Sequence, residues 1–177
     1  MGTTPVEDLS GEGNDSLAGY RSLLHGARPT AQGLASEQEE AAALVDQVHT
    51  WLAQGIRADE IAVCTRFNLL LDKVSDRLRT AGIPAVRVRD SPGPDTKGVR
   101  LATMHAMKGL EFRCVAILGV TAAALPFARE ITPREVDPQQ YHSDLLRERC
   151  VLFVACTRAR DHLYVSYAGE PSVFLHR

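Results

Sequence analysis

The residue types best suited to chemistry fall in two stretches of the C-terminal half. The first is VRLATMHAMKGLEF, residues 99–112, where a hydroxyl, an imidazole, an ammonium and a glycine follow in close succession after an apolar run. Each has a physical use at a strand end. Thr103 can donate to a phosphate, and His105 can hydrogen-bond or stack. Lys108 supplies a point charge, and Gly109 lets the backbone approach a ligand closely. Glu111 is an acceptor suited to ribose hydroxyls. The same residues also fit a plainer description, a helix start carrying a surface histidine and lysine. No Walker A pattern occurs in the chain, so this is not a complete P-loop site.

The second stretch is LLRERCVLFVACTRAR, residues 145–160. Leu145, Arg149, Leu152 and Cys156 share a helix face, with Leu146, Cys150 and Phe153 beside it. The apolar run over 150–156 is continuous, so the expectation is a helix buried nearly all round. Arg158 stands just beyond that run, placed to offer a guanidinium across a cleft to a transferring phosphoryl group. An arginine there also answers the helix C-terminal dipole, a purely structural use. Arg160 and Asp161 are expected to be solvated or locally paired.

Composition narrows the class. The 177 residues, 45% hydrophobic and 24% charged, suit one α/β domain with a sizeable core. No apolar run is long enough to span a bilayer, and MGTTPVEDLSGEGNDS has acids where a signal peptide needs a basic start, so a cytoplasmic protein is expected. Cys64, Cys114, Cys150 and Cys156 form no CxxC pair and read as reduced core thiols, with no metal site indicated. The net charge is −2, unevenly spread: residues 1–98 carry ten basic against fourteen acidic groups, and residues 99–177 ten against eight. That asymmetry neither announces nor excludes a nucleic-acid surface, since a small patch suffices for phosphate contact.

The elements that must hold these residues alternate between the two regular types. Residues 1–16 read as a polar, poorly ordered leader, and residues 17–177 as one domain. Tyr20 to Leu24 suits a short helix and Thr30 to Leu34 a strand. Ser36 with Glu39 has capping-box spacing ahead of a helix to about Gln54. Ile61–Cys64, Ala85–Val88, Val99–Thr103, Val115–Leu118 and His162–Ser166 read as strands. A helix with Leu70, Leu71, Val74 and Leu78 on one side follows the first of them. Ser91 to Gly98 reads as an exposed connection and Ala122 to Pro138 as proline-broken structure, before a long helix from about Gln139 to Arg158. Strands separated by helices imply a mainly parallel sheet covered on both faces, with ligands at the carboxyl ends of strands.

Together the two stretches resemble the second RecA-like motor domain of superfamily 1 DNA helicases of the UvrD/Rep/PcrA group. Residues 99–112 look like motif V and RERCVLFVACTRARDHLYVS like motif VI with its following strand, while IAVCTRFNLLLDKVSDRLRTAGIPAVRV looks like the stretch bearing motif IVa. The resemblance implies a RecA-like, mainly parallel α/β fold without its own Walker A motif. It implies that Arg158 contacts the ATP γ-phosphate from the second domain, that Glu111 binds the ribose, and that Gly109 lies beside the nucleotide. Thr103 and His105 would contact single-stranded DNA, Arg66 and Asn68 would lie near its backbone, and Lys108 could serve either side. Phe153 stands where many relatives have Tyr, and Cys150 where many have Arg.

The family's first motor domain carries the Walker A and Walker B groups, so ATP and Mg²⁺ belong to an intact parent, with the Mg²⁺ ligands off this chain. The motif IV arginine is not matched, and the large insertion of some relatives is absent or very short between Val88 and Val99. The chain thus looks like a monomeric C-terminal fragment of an ATP-dependent helicase or translocase moving 3′ to 5′, partnered by single-stranded DNA and an N-terminal motor domain, and inactive alone. The resemblance associates such a chain with DNA repair, with recombination and transcription-linked processes left open by the sequence. The alternative is a stand-alone nucleic-acid-binding or regulatory domain without ATPase activity. Membrane association is not expected.

Overall fold

The structure, a computed structural model, describes residues 28–90 and 97–175, together with a two-residue antiparallel pairing of Val6–Glu7 with Asn14–Asp15. The helix expected at Tyr20 to Leu24 lies outside the described residues, as do most of the 1–16 leader and residues 91–96 of the exposed connection.

Six strands and three α-helices follow along the rest: β1 (Thr30–Leu34), α1 (Glu37–Ala53), β2 (Ile61–Thr65), α2 (Asn68–Thr80), β3 (Ala85–Arg87), β4 (Val99–Thr103), β5 (Phe112–Leu118), α3 (Pro138–Cys156) and β6 (Ala159–Ala168). The strands form one sheet in the order β1-β6-β5-β2-β4-β3, with every pairing parallel. The expected α/β class therefore holds. Parallel neighbours require crossovers, and those crossovers cover both faces.

Strand alternation divides the core in two. Ile61 and Val63 of β2 face α1 and α2, packing with Leu44, Val48, Trp51, Leu71, Val74 and Leu78. Ala62 and Cys64 face the other way, toward Met104, Met107, Leu125, Leu152 and Ala155. Each fully buried leucine contributes roughly 1.5–3 kcal/mol of apolar burial. Local chemistry sets the helix starts. Ser36 Oγ accepts from Glu39 N at 3.2 Å, and Asp137 accepts from Gln139 N and Gln140 N ahead of Pro138.

Three expectations change. Strands β5 and β6 run longer than their apolar cores, because Phe112 pairs with Ala159 and Cys114 with His162, so the arginine-rich residues before Val115 and His162 are drawn into the ladder. Helix α3 ends at Cys156, leaving Arg158 in a turn. Nor is α3 buried all round. Its buried stripe is Asp144, Glu148, Leu152 and Ala155, whereas Leu146 is 60% exposed and Phe153 65%. The 150–156 run is apolar on every side, but only one side meets the sheet. Cys150 is consequently exposed rather than a core thiol, and Cys156 is half-buried; Cys64 and Cys114 are buried as expected. Burial pushes the Cys114 and Cys156 thiols up to about 11.

Candidate nucleotide and nucleic-acid surfaces

Because all six strands run the same way, their carboxyl ends share one edge of the sheet and their amino ends the other. Thr103 closes β4, and Thr65 of the neighbouring β2 lies opposite it in register. Arg66, Asn68, Thr103 and His105 therefore gather at the carboxyl edge. Asn68 begins α2, and His105 sits on the short 3-10 turn Met104–Met107, anchored by the burial of both methionines. The turn leaves His105 exposed. Asn68 and Thr103 also line a cavity of about 470 Å³ with Arg87 and Arg89. Arg87 donates to Asn68 Oδ1 at 3.2 Å and pairs with Asp72, which leaves the Asn68 amide nitrogen as the free donor of that group.

Gly109, Glu111 and Arg158 lie at the opposite edge, where β5 and β6 begin. Phe112 N donates to Arg158 O at 2.9 Å, locking the two turns together. Gly109 has φ +80°, and a Cβ there would meet nothing within 4 Å, so glycine serves the backbone conformation rather than a tight contact. Glu111 and Lys108 are exposed. The Arg158 guanidinium is half-buried and turned onto its own domain. Its Nε donates to Val154 O at 3.1 Å, Nη1 to Leu110 O at 3.3 Å and Nη2 to Thr157 Oγ1 at 3.1 Å. It thereby caps the last turn of α3 and pins the turn that contains Gly109. Lys108 lies between the two groups in sequence and lines a shallow pocket with Cys150, Val151 and Val154 of α3.

Around this edge the charges are paired. Asp161 accepts from Arg160 Nε at 2.9 Å and from Arg113 Nε at 2.8 Å, as local pairing predicts. The Arg160 hydrogen bond, followed by that from Arg113, holds the Asp161 carboxyl down at about 2. Among the described residues no three His, Cys, Asp or Glu side chains stand together as a metal site. No helix among them is long and apolar enough to cross a membrane.

Two features have no local signal in the sequence. Arg66 was expected beside a DNA backbone, yet its side chain is only 9% exposed and makes an ion pair at 2.8 Å with Glu148, itself 2% exposed. Glu148 is 82 residues away in sequence, and its only signal was a place in line with Asp144 and Leu152 on one face of α3. Glu40 is likewise buried, accepting from Gly119 N at 2.8 Å and Ser166 Oγ at 2.6 Å across the ends of β5 and β6. A glutamate in the first turn of a helix reads as a dipole partner, and nothing local marks it as a tie to the sheet.

Comparison with known proteins gives relatives in sequence for part of this chain and a relative in fold for most of it. Residues 89–170 match the family described as the UvrD-like helicase C-terminal domain. Over 88 residues, 49% of this chain, the sequence is 40% identical to YjcD of Bacillus subtilis strain 168, and 38% identical to the ATP-dependent DNA helicase PcrA of Staphylococcus aureus strain Mu50. The matched stretch is 11% of the length of either relative. A crystal structure of the C-terminal domain of a possible DNA helicase from Lactobacillus plantarum WCFS1 superposes with a TM-score of 0.64 at 18% identity, over 86% of this chain and 81% of that one. That likeness is one of fold. The resemblance first carried by the two motif-bearing stretches is thus matched in sequence, and the parallel α/β architecture in structure.

Proposed function

We propose, from the similarity of residues 89–170 to the UvrD-like helicase C-terminal domain, that this chain is the C-terminal motor domain of an ATP-dependent DNA helicase or translocase. It would supply one wall of an ATP site and part of a single-stranded DNA track, in a parent that moves 3′ to 5′. The observation that carries this reading is the meeting of Gly109, Glu111 and Arg158 at one edge of the sheet, since DNA binding alone has no need of them. Gly109 gives a ligand close access to backbone, Glu111 offers an acceptor for ribose hydroxyls, and Arg158 offers a planar fork of donors. Swung off the Leu110 and Val154 carbonyls, the Arg158 guanidinium would reach toward a phosphoryl group held between this domain and another. ATP bound there supplies a γ-phosphoryl group whose developing charge a guanidinium stabilises. The other wall, with Mg²⁺, would come from a first motor domain.

The carboxyl edge would take DNA, with Thr103, His105 and Asn68 as donors to the backbone and Lys108 as a weaker contributor. One wall alone cannot hold the reacting groups at fixed distances. Steady-state phosphate release tests this directly. The 177-residue chain is expected to show no Mg²⁺-ATPase with or without single-stranded DNA, and to bind ATP more weakly than about 1 mM. Robust turnover from the chain alone contradicts the proposal.

One observation favours the alternative of a nucleic-acid-binding or regulatory domain without ATPase activity. Every Arg158 nitrogen already has a partner within its own domain. On that reading Arg158 is a helix cap and a brace for the Gly109 turn, and its removal affects folding rather than chemistry.

A further inference from the structure

The buried pair behind the carboxyl edge changes what Arg66 can do. Glu148 Oε1 accepts from Arg66 Nη2 at 2.8 Å, and Oε2 lies 3.4 Å from Arg66 Nε while also accepting from Phe127 N at 2.9 Å. The guanidinium carbon sits 5.2 Å from the Phe67 ring centroid and 5.6 Å from that of Phe127, and the two rings pack edge-on at 4.8 Å. These contacts fix the guanidinium plane from several sides. To reach a phosphate it would have to leave Glu148 buried and unpaired.

One Arg66 nitrogen remains directed at the exposed edge. Nη1 lies 3.3 Å from His105 Nδ1. A guanidinium only donates, so Nδ1 accepts and the neutral ring carries its hydrogen on Nε2. Nε2 is the other nitrogen of an exposed residue, and its N–H is then the donor the ring has left to offer a phosphate or base oxygen. We infer that Arg66 serves nucleic-acid binding as a positioning residue, locked by Glu148, that holds His105 with its Nε2–H turned outward and does not itself contact phosphate. The inference rests on the reading of the carboxyl edge as a DNA surface. It also makes Glu148 a joint, since it ties the end of β2 and the Phe127 segment to α3, the helix that leads into Arg158.

The test uses the 177-residue chain and a fluorescein-labelled oligothymidylate. The key variant is the double substitution Arg66→Gln with Glu148→Gln, which removes both charges together and leaves no buried ion unpaired. Long-range ¹H–¹⁵N NMR at about pH 8, above the ordinary histidine range, reads the His105 tautomer. The unaltered chain is expected to hold the Nε2–H form, and the double variant a mixture. In anisotropy titrations the double variant is expected to lose about 3- to 10-fold in affinity, the size of one hydrogen bond. Its salt dependence should be unchanged, and the same substitutions should have no further effect in a His105→Ala background. If Arg66 is a phosphate ligand, its loss lowers the slope of log K against log[salt] by about 0.7, which overturns the inference. An Nδ1–H tautomer in the unaltered chain overturns it as well. No DNA binding by the unaltered chain overturns the DNA reading of this edge and the role assigned here, and the tautomer then reports separately whether Arg66 holds His105.

Discussion

Individual side chains carry more of this fold than their types suggest. Glu40 accepts two hydrogen bonds at the buried ends of β5 and β6, so Glu40→Ala strands the Gly119 amide and the Ser166 hydroxyl away from water. A loss of about 1–3 kcal/mol per stranded group follows, to be read from a urea melt. A change within a few tenths of a kcal/mol would mean that water reaches both donors. Gly109 behaves differently. Its positive φ with open space around it predicts that Gly109→Ala costs only backbone strain, roughly 1–2 kcal/mol. A larger loss in the same melt would mean that the position is packed rather than merely twisted.

At the scale of elements, the amino edge of the sheet is held by a charge cluster that responds to pH. Arg113 of β5 bonds Asp161 of β6 at 2.8 Å and approaches Glu60, just before β2, at 3.8 Å. The folded Asp161 carboxyl titrates at about 2, against about 3.9 for an unfolded aspartate. Its contribution is therefore present above about pH 4 and is lost as pH falls through about 2. Asp161→Asn is expected to be less stable than the unaltered chain at neutral pH, with the gap closing over that acid window in paired denaturant melts. A gap that stays constant down to about pH 2 contradicts the pairing. Such ties also explain what the sequence could reveal. Strands β2 and β4 were legible because their apolar runs are buried on both faces, and α1 because Ser36 and its 3.6-residue stripe agree. The α3 burial pattern was not, since the partners that Thr132 N gives Asp144, and Phe127 N and Arg66 give Glu148, come from other segments, even though Gln140 and Arg147 of α3 also bond Asp144. The resemblance singles out Arg66 as a residue near DNA, but its burial depends on a partner, Glu148, that no local pattern names.

For the whole molecule, the parallel sheet sorts the candidate residues onto two edges separated by the length of a strand, about 15 Å. Residues 104–111 cross from one edge to the other, from His105 to Glu111, and pack against α3 on the way. That short segment physically connects the edge that holds His105 to the turn that Arg158 braces. The isolated chain offers only a few phosphate contacts, so its binding to single-stranded DNA should be weak, salt-sensitive and indifferent to sequence. Anisotropy at two salt concentrations checks this, and tight binding untouched by salt would favour the stand-alone binder. The central claim is that this domain completes a shared ATP site. It is tested most directly by Arg158→Ala in a two-domain parent, with DNA-stimulated ATPase kinetics and a denaturant melt measured on the same preparation. The account predicts a fall in kcat of about 10²-fold or more, incomplete rescue by Arg158→Lys, and a stability loss of only about 0.3–1 kcal/mol. Near-normal turnover with a clearly weakened fold would contradict it, leaving Arg158 as a cap on α3 and nothing more.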